Sequence, residues 1–300
     1  MRDNLYLMTY KFFSFLLFIV PRGMMIKCMY GLAWLAYSLS KKHRHIINVN
    51  LDLAFDHRLS SKEKKKIGIE AFVNLIDTTF GIITRDKMEK QEVIENITFE
   101  NKEIIQAYQK EKKQFILVTG HYGNWELLSQ SIAIKFDLTL VGVGRKLDSP
   151  IMDKVLRENR ERFNVEMVEK KGAIKSCIKV INEGKTVGIL TDQSIGEGQS
   201  VDVDFFGIKT THTPLASILS RKFDLDLIPA YISTDDYKQY TVSIYPSIKA
   251  IKSEDKEADL RKLTQAQADI TEKVIRSKPK QWFWMHKRWK EYQATLYEKL

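Results

Sequence analysis

The chain has 300 residues, of which 44% are hydrophobic and 29% are charged. This length suits one large domain or two small ones, and the hydrophobic fraction is high enough to form a packed core. The composition therefore excludes a chain that is disordered throughout. Its 14 glycines and 6 prolines are too few for a collagen-like or linker-rich protein, and its two cysteines, Cys28 and Cys177, cannot make a disulfide scaffold or a cysteine zinc site. The net charge of +10 points to an anionic partner, and it is concentrated at the ends of the chain, with +7 in residues 1–70 and +4 in residues 278–300.

The chain opens with two apolar stretches, 12–20 and 24–39, which a Pro-Arg-Gly turn at 21–23 separates. Neither stretch reaches the roughly 20 uninterrupted apolar residues that a spanning helix needs. Apolar, aromatic-rich segments flanked by lysine and arginine are typical of helices that lie in the bilayer interface. We therefore predict a membrane-associating segment over residues 5–39. Two buried helices of a soluble protein and a single tilted span are the alternatives that the pattern leaves open.

The residues that follow continue this N-terminal part as helix. Ser60 followed by Glu63 has the spacing of a capping box, and we predict a helix from there to about residue 83. The polar stretch before it holds three nearby histidines, His43, His45 and His57. They lack a set of Cys, Asp or Glu residues at ligand spacing, so we predict no metal site. Residues 1–100 are therefore expected to form a helical region.

Downstream of about residue 98, short apolar runs typical of β-strands alternate with helical patterns. The predicted strands are 114–119, 138–143, 165–169, 186–191, 225–232 and 240–245. The predicted helices are 124–135, 149–162, 173–183, 213–223 and 256–277. Strands that alternate with helices of this length indicate βαβ units. We therefore predict an α/β fold, a mostly parallel sheet flanked by helices, over residues 101–300.

The segment 120–126, GHYGNWE, follows a predicted strand and opens a predicted helix. In open α/β sheets, functional sites lie at the carboxyl ends of the strands. His121 leaves such an end, and Glu126 falls in the first turn of the helix. A histidine near a carboxylate is typical of a general base and the group that orients it. Because H-x4-E is a short motif, a histidine that caps the helix or fills a turn is the alternative.

Two further blocks, together with this one, resemble a known family. The second block is TDQ at 191–193, followed by FFG at 205–207, and the third is QWFWMHKRWK at 281–290. In this order the blocks resemble those of the lipid A biosynthesis acyltransferases, the lauroyl and myristoyl transferases of Gram-negative bacteria. The third block departs from the family pattern QYLW-x-HRR-x-K in its aromatic residues and in having Lys-Arg in place of the arginine pair.

The resemblance implies transfer of a fatty acyl chain from acyl carrier protein to a hydroxyl of a lipid A precursor, at the cytoplasmic face of the cell inner membrane and with no bound cofactor. A thioester donor needs no covalent enzyme intermediate, whereas the attacking hydroxyl needs a base. On this interpretation His121 removes the proton, and Glu126 orients and stabilises the imidazolium. Backbone N–H groups near Gly123 and the guanidinium of Arg145 are the candidate oxyanion donors. For Arg145 the alternative is an ordinary surface arginine.

The remaining residues of these blocks carry less specific expectations. Asp192 ends a predicted strand, where it either holds a loop or a basic residue in place or acts as a simple cap. The candidates for the lining of an apolar acyl groove are Trp125, Phe205 and Phe206. Core packing is the alternative for these aromatic residues. The residues expected to face lipid phosphates or the membrane surface are His286, Lys287 and Arg288.

Two other functions compete with this interpretation. An acyltransferase that uses a glycerophospholipid or another glycolipid as acceptor is the nearest, but the glycerol-phosphate branch usually has H-x4-D and a later PEGTR-like block. The other is a non-catalytic protein of the membrane surface, which has no reason to place chemistry-bearing residues at successive strand ends. Nucleic acid is not an expected partner, because the sequence has no zinc-finger spacing and no aromatic RNA-binding signature.

Overall fold

A computed structural model describes residues 2–196, 198 and 200–298, and for residues 2–5 and 18 it describes the backbone alone. Glu197 and Gln199, in the loop of the second sequence block, lie outside the described residues. Within these limits the chain forms a seven-stranded sheet, a two-stranded sheet and flanking helices.

The seven-stranded sheet is mostly parallel. The strands of the described chain are β1 (Ile97–Glu100), β2 (Ile116–Thr119), β3 (Leu140–Gly144), β4 (Val165–Glu169), β5 (Thr186–Leu190), β6 (Val201–Phe205), β7 (Ile208–His212), β8 (Leu227–Thr234) and β9 (Tyr240–Ile244). The order in the large sheet is β1-β9-β8-β2-β5-β3-β4. Its neighbouring strands run parallel except β8 and β9, which form an antiparallel pair. The predicted α/β fold is confirmed.

Helices surround this sheet and also form most of the N-terminal third. The helices before β1 are α1 (Arg2–Ile19), α2 (Arg22–Leu39), α3 (Lys41–Ala54), α4 (Ser61–Arg85) and α5 (Lys90–Ile94). Those after it are α6 (Glu103–Lys110), α7 (Trp125–Lys135), α8 (Pro150–Glu161), α9 (Ala173–Asn182), α10 (Leu215–Phe223), α11 (Lys256–Ser277) and α12 (Lys290–Gln293). Short 3-10 helices cover Pro279–Gln281 and Ala294–Tyr297. Each helix predicted from residue 60 onward is present within a few residues of its expected ends.

Strand β2 is buried on both faces. Leu117 packs in one core with Leu128 and Ile132 of α7, whereas Ile116 and Val118 pack in another core with residues of α9 and α10. A parallel strand covered by helices on both sides needs apolar residues at every position. This is why residues 114–119 have a continuous apolar run instead of an alternating one.

Helix α4 begins where the capping box predicts. The hydroxyl oxygen of Ser60 accepts from the backbone N–H of Glu63, and the Glu63 carboxylate accepts from the backbone N–H of Ser60 at 2.8 Å. The helix packs against α1, α2, α3 and α7. Its buried Asn74 donates to the backbone oxygen of Lys280 at 2.6 Å, which ties the N-terminal helices to the third sequence block. The division at residue 100 into two parts stays a prediction.

Strand β1 and the β6–β7 hairpin are not among the predicted elements. Strand β1 has four residues, lies at the edge of the sheet beside β9 and sits inside the region expected to be helical. Phe206 and Gly207 connect β6 to β7 with φ angles of 58° and 73°. Two consecutive residues in this left-handed region are typical of a two-residue hairpin turn. The FFG block is therefore the tip of a hairpin.

Helices α1 and α2 leave large apolar side chains exposed. These include Met8, Phe12, Phe15, Ile19, Trp34 and Leu39. The opposite face of α2 is buried, with Met29 and Ala33 fully covered. Of the helices in the described part of the chain, α4 alone is long and apolar enough to cross a bilayer, and half of its apolar stretch is buried inside the protein. Membrane association of residues 5–39 stays a prediction.

Candidate active site

His121 lies at the carboxyl end of β2, next to the end of β5. The backbone N–H of Thr191 donates to the oxygen of Thr119 at 2.9 Å, which carries the strand pairing to the edge of the sheet. Asp192 follows directly. Gly120 allows the two chain segments to approach, because a Cβ atom there would lie 3.1 Å from the Asp192 carboxyl carbon. Pairing of β2 with β5 thus places an imidazole and a carboxylate side by side.

Asp192 binds His121 through two hydrogen bonds. The backbone N–H of His121 donates to Oδ2 at 2.8 Å, and the ring atom Nδ1 lies 2.8 Å from Oδ1. An ionised carboxylate only accepts hydrogen bonds, so we assign the ring proton to Nδ1, which leaves Nε2 free to take a proton. The indole N–H of Trp282 also donates to Oδ2, at 2.8 Å.

The Asp192 carboxylate remains charged although it is buried. Burial raises its pKa, but the electrostatic attraction of the His121 ring and the hydrogen bonds from His121 and Trp282 outweigh burial and hold this pKa well below its usual range. A carboxylate in this position fixes the ring orientation and stabilises the imidazolium that forms when Nε2 accepts a proton. Of the alternatives for Asp192, the structure selects the one in which it holds a basic residue.

The imidazole of His121 lies among two aromatic rings and one amide. The rings of Trp125 and Phe283 have their centroids 5.2 Å and 6.0 Å from that of His121. The side-chain Nε2 of Gln193 lies 3.4 Å from Nε2 of His121. The His121 side chain is 23% exposed, which leaves a substrate access to the ring. The imidazole of His121 therefore has half-open, largely apolar surroundings.

Glu126 does not bind His121, which corrects the sequence-based assignment. Its two carboxylate oxygens accept from Nε and Nη2 of Arg160, at 3.0 Å and 2.6 Å. On a helix, side chains three or four positions apart are neighbours, so the five-position separation in H-x4-E does not by itself bring the two side chains together. Here α7 starts at Trp125, and a turn with Gly123 at φ 55° separates it from His121. Glu126 therefore faces α8 instead of the imidazole.

The structure explains the glycine at position 123 by backbone packing and not by the expected oxyanion contact. Its N–H donates to the backbone oxygen of Gln281 at 2.8 Å, so this group is not available to an oxyanion. A Cβ atom at this position would lie 2.1 Å from the backbone oxygen of Ile232. Together with the positive φ angle, this contact requires glycine. The expectation that the Gly123 N–H is an oxyanion donor is wrong for this structure.

Arg145 follows β3, as predicted, but points into solvent. Its side chain is 82% exposed, and its guanidinium donates to Asp148 at 2.8 Å. Strand β5 lies between β2 and β3, so the residues after β3 are one strand further from His121. The structure supports the surface-arginine alternative.

Phe205 and Phe206 belong to the core. They are 0% and 7% exposed, and the ring of Phe205 packs against Trp282 and Trp289. These contacts correct their assignment to an acyl groove. Trp125 is different, because it lies beside the imidazole, and it stays a candidate for the lining of the site.

Residues of the third sequence block pack against the segments that carry His121 and Asp192. The backbone N–H of Phe283 donates to the oxygen of His121 at 2.9 Å, and Nε2 of His286 accepts from the backbone N–H of Ser194 at 3.2 Å. Arg288 is fully buried, with Nη1 and Nη2 directed at Thr210, Thr211 and His212. Arg288 therefore faces neither a lipid phosphate nor a membrane surface, whereas for the partly exposed His286 that expectation stays a prediction. Lys287 is partly exposed, with its Nζ 5.8 Å from the Tyr297 ring centroid.

Gln193, Trp282 and Phe283 contact the His121–Asp192 pair and were not predicted to do so. All three residues belong to the second or third sequence block. This membership could have predicted their contact with His121, since separate blocks of one motif set often meet in space. In the described part of the chain, no group of three or more His, Cys, Asp or Glu side chains is arranged to hold a metal ion.

Comparisons with known proteins find relatives of the same kind that the three sequence blocks resemble. The lipid A biosynthesis lauroyltransferase of Escherichia coli K12 is 26% identical over 268 residues, covering 87% of this chain and 83% of that protein. A lipid A biosynthesis acyltransferase of Haemophilus influenzae is 25% identical over 279 residues, covering 91% and 84%. Among solved structures, a 1-acyl-sn-glycerophosphate acyltransferase from Thermotoga maritima aligns over 87% of this chain and 98% of its own, with 13% identity and a TM-score of 0.39, too low to support an inference.

The sequence model of the family described as bacterial lipid A biosynthesis acyltransferase matches residues 4–291. This match covers nearly the whole chain and includes His121, Asp192 and the third block. The protein therefore belongs to the bacterial lipid A biosynthesis acyltransferase family.

Proposed function

We propose that this enzyme transfers a fatty acyl chain from acyl carrier protein to a hydroxyl of a lipid A precursor, with His121 as general base. The observation that carries the proposal is the His121–Asp192 pair, in which Asp192 binds Nδ1 and Nε2 lies beside a half-open site. Family membership supports acyl transfer in lipid A biosynthesis. The net charge of +10 suits an acidic carrier protein and a phosphorylated acceptor.

In the proposed reaction, Nε2 of His121 takes the proton of the acceptor hydroxyl as its oxygen attacks the thioester carbonyl carbon. The tetrahedral intermediate then expels the carrier thiolate, which recovers the proton from the imidazolium. An ester bond forms and a thioester bond breaks, so no cofactor is needed. Asp192 stabilises the imidazolium between these two steps. The side-chain amide of Gln193 is the donor best placed to reach the oxyanion, since it lies 3.4 Å from Nε2.

Glu126 has a positioning role in this proposal. Its paired oxygens bind Arg160 of α8, and both side chains are largely buried, at 12% and 16% exposed. Bidentate pairs of this kind fix geometry as well as contributing energy. The pair therefore holds the first turn of α7, and with it Trp125, in place beside the imidazole.

The exposed apolar face of α1 and α2 supports a membrane-bound enzyme, which we propose works at the cytoplasmic face of the cell inner membrane. Phe12 and Phe15 are 62% and 60% exposed. Replacing both by serine should weaken sedimentation with anionic vesicles, since apolar burial drives interfacial binding. Leu147 and Ile174, each 45% exposed and outside this face, are the matched control pair for replacement by serine. Equal loss in both pairs would contradict the assignment.

The function is tested by acyl transfer from labelled acyl carrier protein to lipid A precursors, compared with glycerol phosphates as acceptors. We expect product only with the lipid A precursors, and a loss of about 10²–10⁴-fold in folded His121→Ala. Preference for a glycerophosphate acceptor would favour the nearest alternative enzyme. Absence of transfer to every acceptor would favour the non-catalytic membrane protein.

A further inference from the structure

A cavity of about 660 Å³ lies away from His121, between the N-terminal helices and the β1–β9 edge of the sheet. This volume is in the range typical of ligand sites. The apolar residues that line it include Leu17, Val20, Met25, Ile83, Val93 and Leu127. Of the described side chains, those around the imidazole, namely Trp125, Gln193 and Phe283, do not line it. It is therefore separate from the acyl-transfer centre.

Arg85, the last residue of α4, lines this cavity and is 5% exposed. Its Nε donates to the side-chain oxygen of Gln130 at 2.5 Å. Its Nη2 is buried and, within the described chain, has no hydrogen-bond partner. Burial lowers the pKa of Arg85 to about 10, with Asp77 and Glu126 raising it, so the guanidinium is charged at neutral pH.

The two carboxylates that influence Arg85 are bound to other arginines. Asp77 pairs with Arg22 at 2.8 Å, and Glu126 pairs with Arg160 at 2.6 Å. A buried charge without a counter-ion and with an unmade hydrogen bond is unfavourable. An anion bound at Arg85 would supply both the charge and the acceptor.

Buried Arg288 shows how a guanidinium is satisfied when its role is purely structural. It is 0% exposed, but its Nη1 and Nη2 both have partners, in Thr210, Thr211 and His212. Arg85, with its unpartnered Nη2, instead lines a cavity whose lining residues are about half apolar and half polar or charged. Among the described residues, the charged members of this lining are four basic ones, Arg22, Arg85, Lys87 and Lys238, and two acidic ones, Asp77 and Glu92. The cavity therefore offers an excess of positive charge beside an apolar wall.

Helix α1 forms one wall of this cavity. Ser14 and Leu17 are buried on the cavity side, whereas Phe12 and Phe15 are exposed on the outer side. A ligand that carries an alkyl chain suits such a wall, because chain burial is favourable at about 0.8 kcal/mol per methylene group.

We propose that the cavity binds an anionic amphiphile, a phosphate-bearing lipid whose headgroup binds Arg85 and whose chain packs against Leu17, Ile83 and Val93. Inorganic phosphate shares the headgroup chemistry but not the chain. This site is additional to the acyl-transfer centre, and binding to it requires neither acyl donor nor acceptor.

The test measures the thermal stability of the full-length protein in non-ionic detergent against increasing octyl phosphate, below its micelle concentration. A ligand that binds the folded state raises Tm with concentration. We expect Tm to rise with octyl phosphate, and to change little with octyl glucoside or inorganic phosphate at the same concentrations. Equal shifts with octyl glucoside, or with inorganic phosphate, would overturn the combined headgroup-and-chain site.

Variants locate the binding. Arg85→Gln should weaken octyl phosphate binding by about 10- to 100-fold, the effect of losing a charged hydrogen bond. Arg157→Gln, at a half-exposed arginine that donates to Asp153 away from the cavity, is the matched control and should bind normally. Ile83→Trp fills the cavity while keeping Arg85, so it should also block binding. Unchanged binding in folded Arg85→Gln and Ile83→Trp would refute the proposal.

Discussion

Replacing Asp192 by asparagine should distinguish the carboxylate that binds His121 in the structure from Glu126, the carboxylate that the sequence predicts as its partner. Oδ1 of Asp192 accepts from Nδ1–H of His121, whereas Oδ2 accepts from both the His121 backbone N–H and the Trp282 indole N–H. An asparagine side chain can take two orientations here. With its NH₂ group at the Oδ2 position, the His121 backbone N–H and the Trp282 indole N–H both lose their acceptor. With its NH₂ group at the Oδ1 position, only the Nδ1–H of His121 loses its acceptor. Each unmatched buried donor costs about 1–3 kcal/mol, so the second orientation is favoured.

In that orientation the NH₂ group points at Nδ1, which must then accept a hydrogen bond. The ring proton moves to Nε2, the atom that should take the substrate proton. The corresponding replacement in a serine protease triad lowers kcat about 10⁴-fold through the wrong tautomer. We expect Asp192→Asn to lower kcat by about 10³–10⁴-fold.

The assay is acyl transfer at saturating acyl carrier protein and lipid A precursor, with circular dichroism and Tm as controls for folding. Asp148→Asn, at an exposed carboxylate, is the control and should keep wild-type kcat. Glu126→Gln keeps one acceptor for Arg160 and should lose less activity than Asp192→Asn. The reasoning is refuted if folded Asp192→Asn is nearly wild type while Glu126→Gln loses as much as His121→Ala.

Three further predictions concern other residues. Arg145→Ala should leave kcat within about threefold of wild type, because its side chain lies in solvent; a loss of 10²-fold would restore it as an oxyanion donor. Gly123→Ala should lower the free energy of unfolding by about 2 kcal/mol or more, since φ is 55° and Cβ meets the Ile232 oxygen; urea denaturation measures this, and an unchanged midpoint would contradict the contact. Burial lowers the pKa of His286 to about 4, below its unfolded value of about 6.5, so its contribution to stability is present above pH 6.5 and is lost as pH falls toward 4. The free energy of unfolding should therefore fall by about 3 kcal/mol more in the wild type than in His286→Gln over that range, and equal slopes would show that His286 is not the titrating group.

The sequence alone was sufficient for six of the seven strands of the large sheet and for one half of the site. Strand β2 and helix α7 have patterns that local physics explains, because a two-sided buried strand must be apolar throughout and a capping residue must start the helix. Asn124 does this for α7, since its side-chain oxygen accepts from the backbone N–H of Leu127. The position of His121 at the strand end followed from these two elements.

The partner of His121 could not be found from spacing. Glu126 is five positions away in the chain, and Asp192 is 71 positions away, yet the parallel pairing of β2 with β5 makes Asp192 the neighbour. Separation along the chain predicts contact only within one helix or hairpin, whereas the register of a parallel sheet depends on the packing of all its connections.

The apolar character of residues 205, 206, 282 and 284 was visible in the sequence, but their burial was not. Periodicity identifies apolar positions and cannot say whether the surface they face is a groove, a membrane or a core. Only the tertiary structure packs Phe205 against Trp282 and Trp289, and only it encloses Arg288 with polar partners from β7. The residue types in the sequence therefore determined which chemical groups this protein has. Which of those groups pair with each other depended on which strands and helices pack together, because burial and hydrogen bonding are properties of the folded chain.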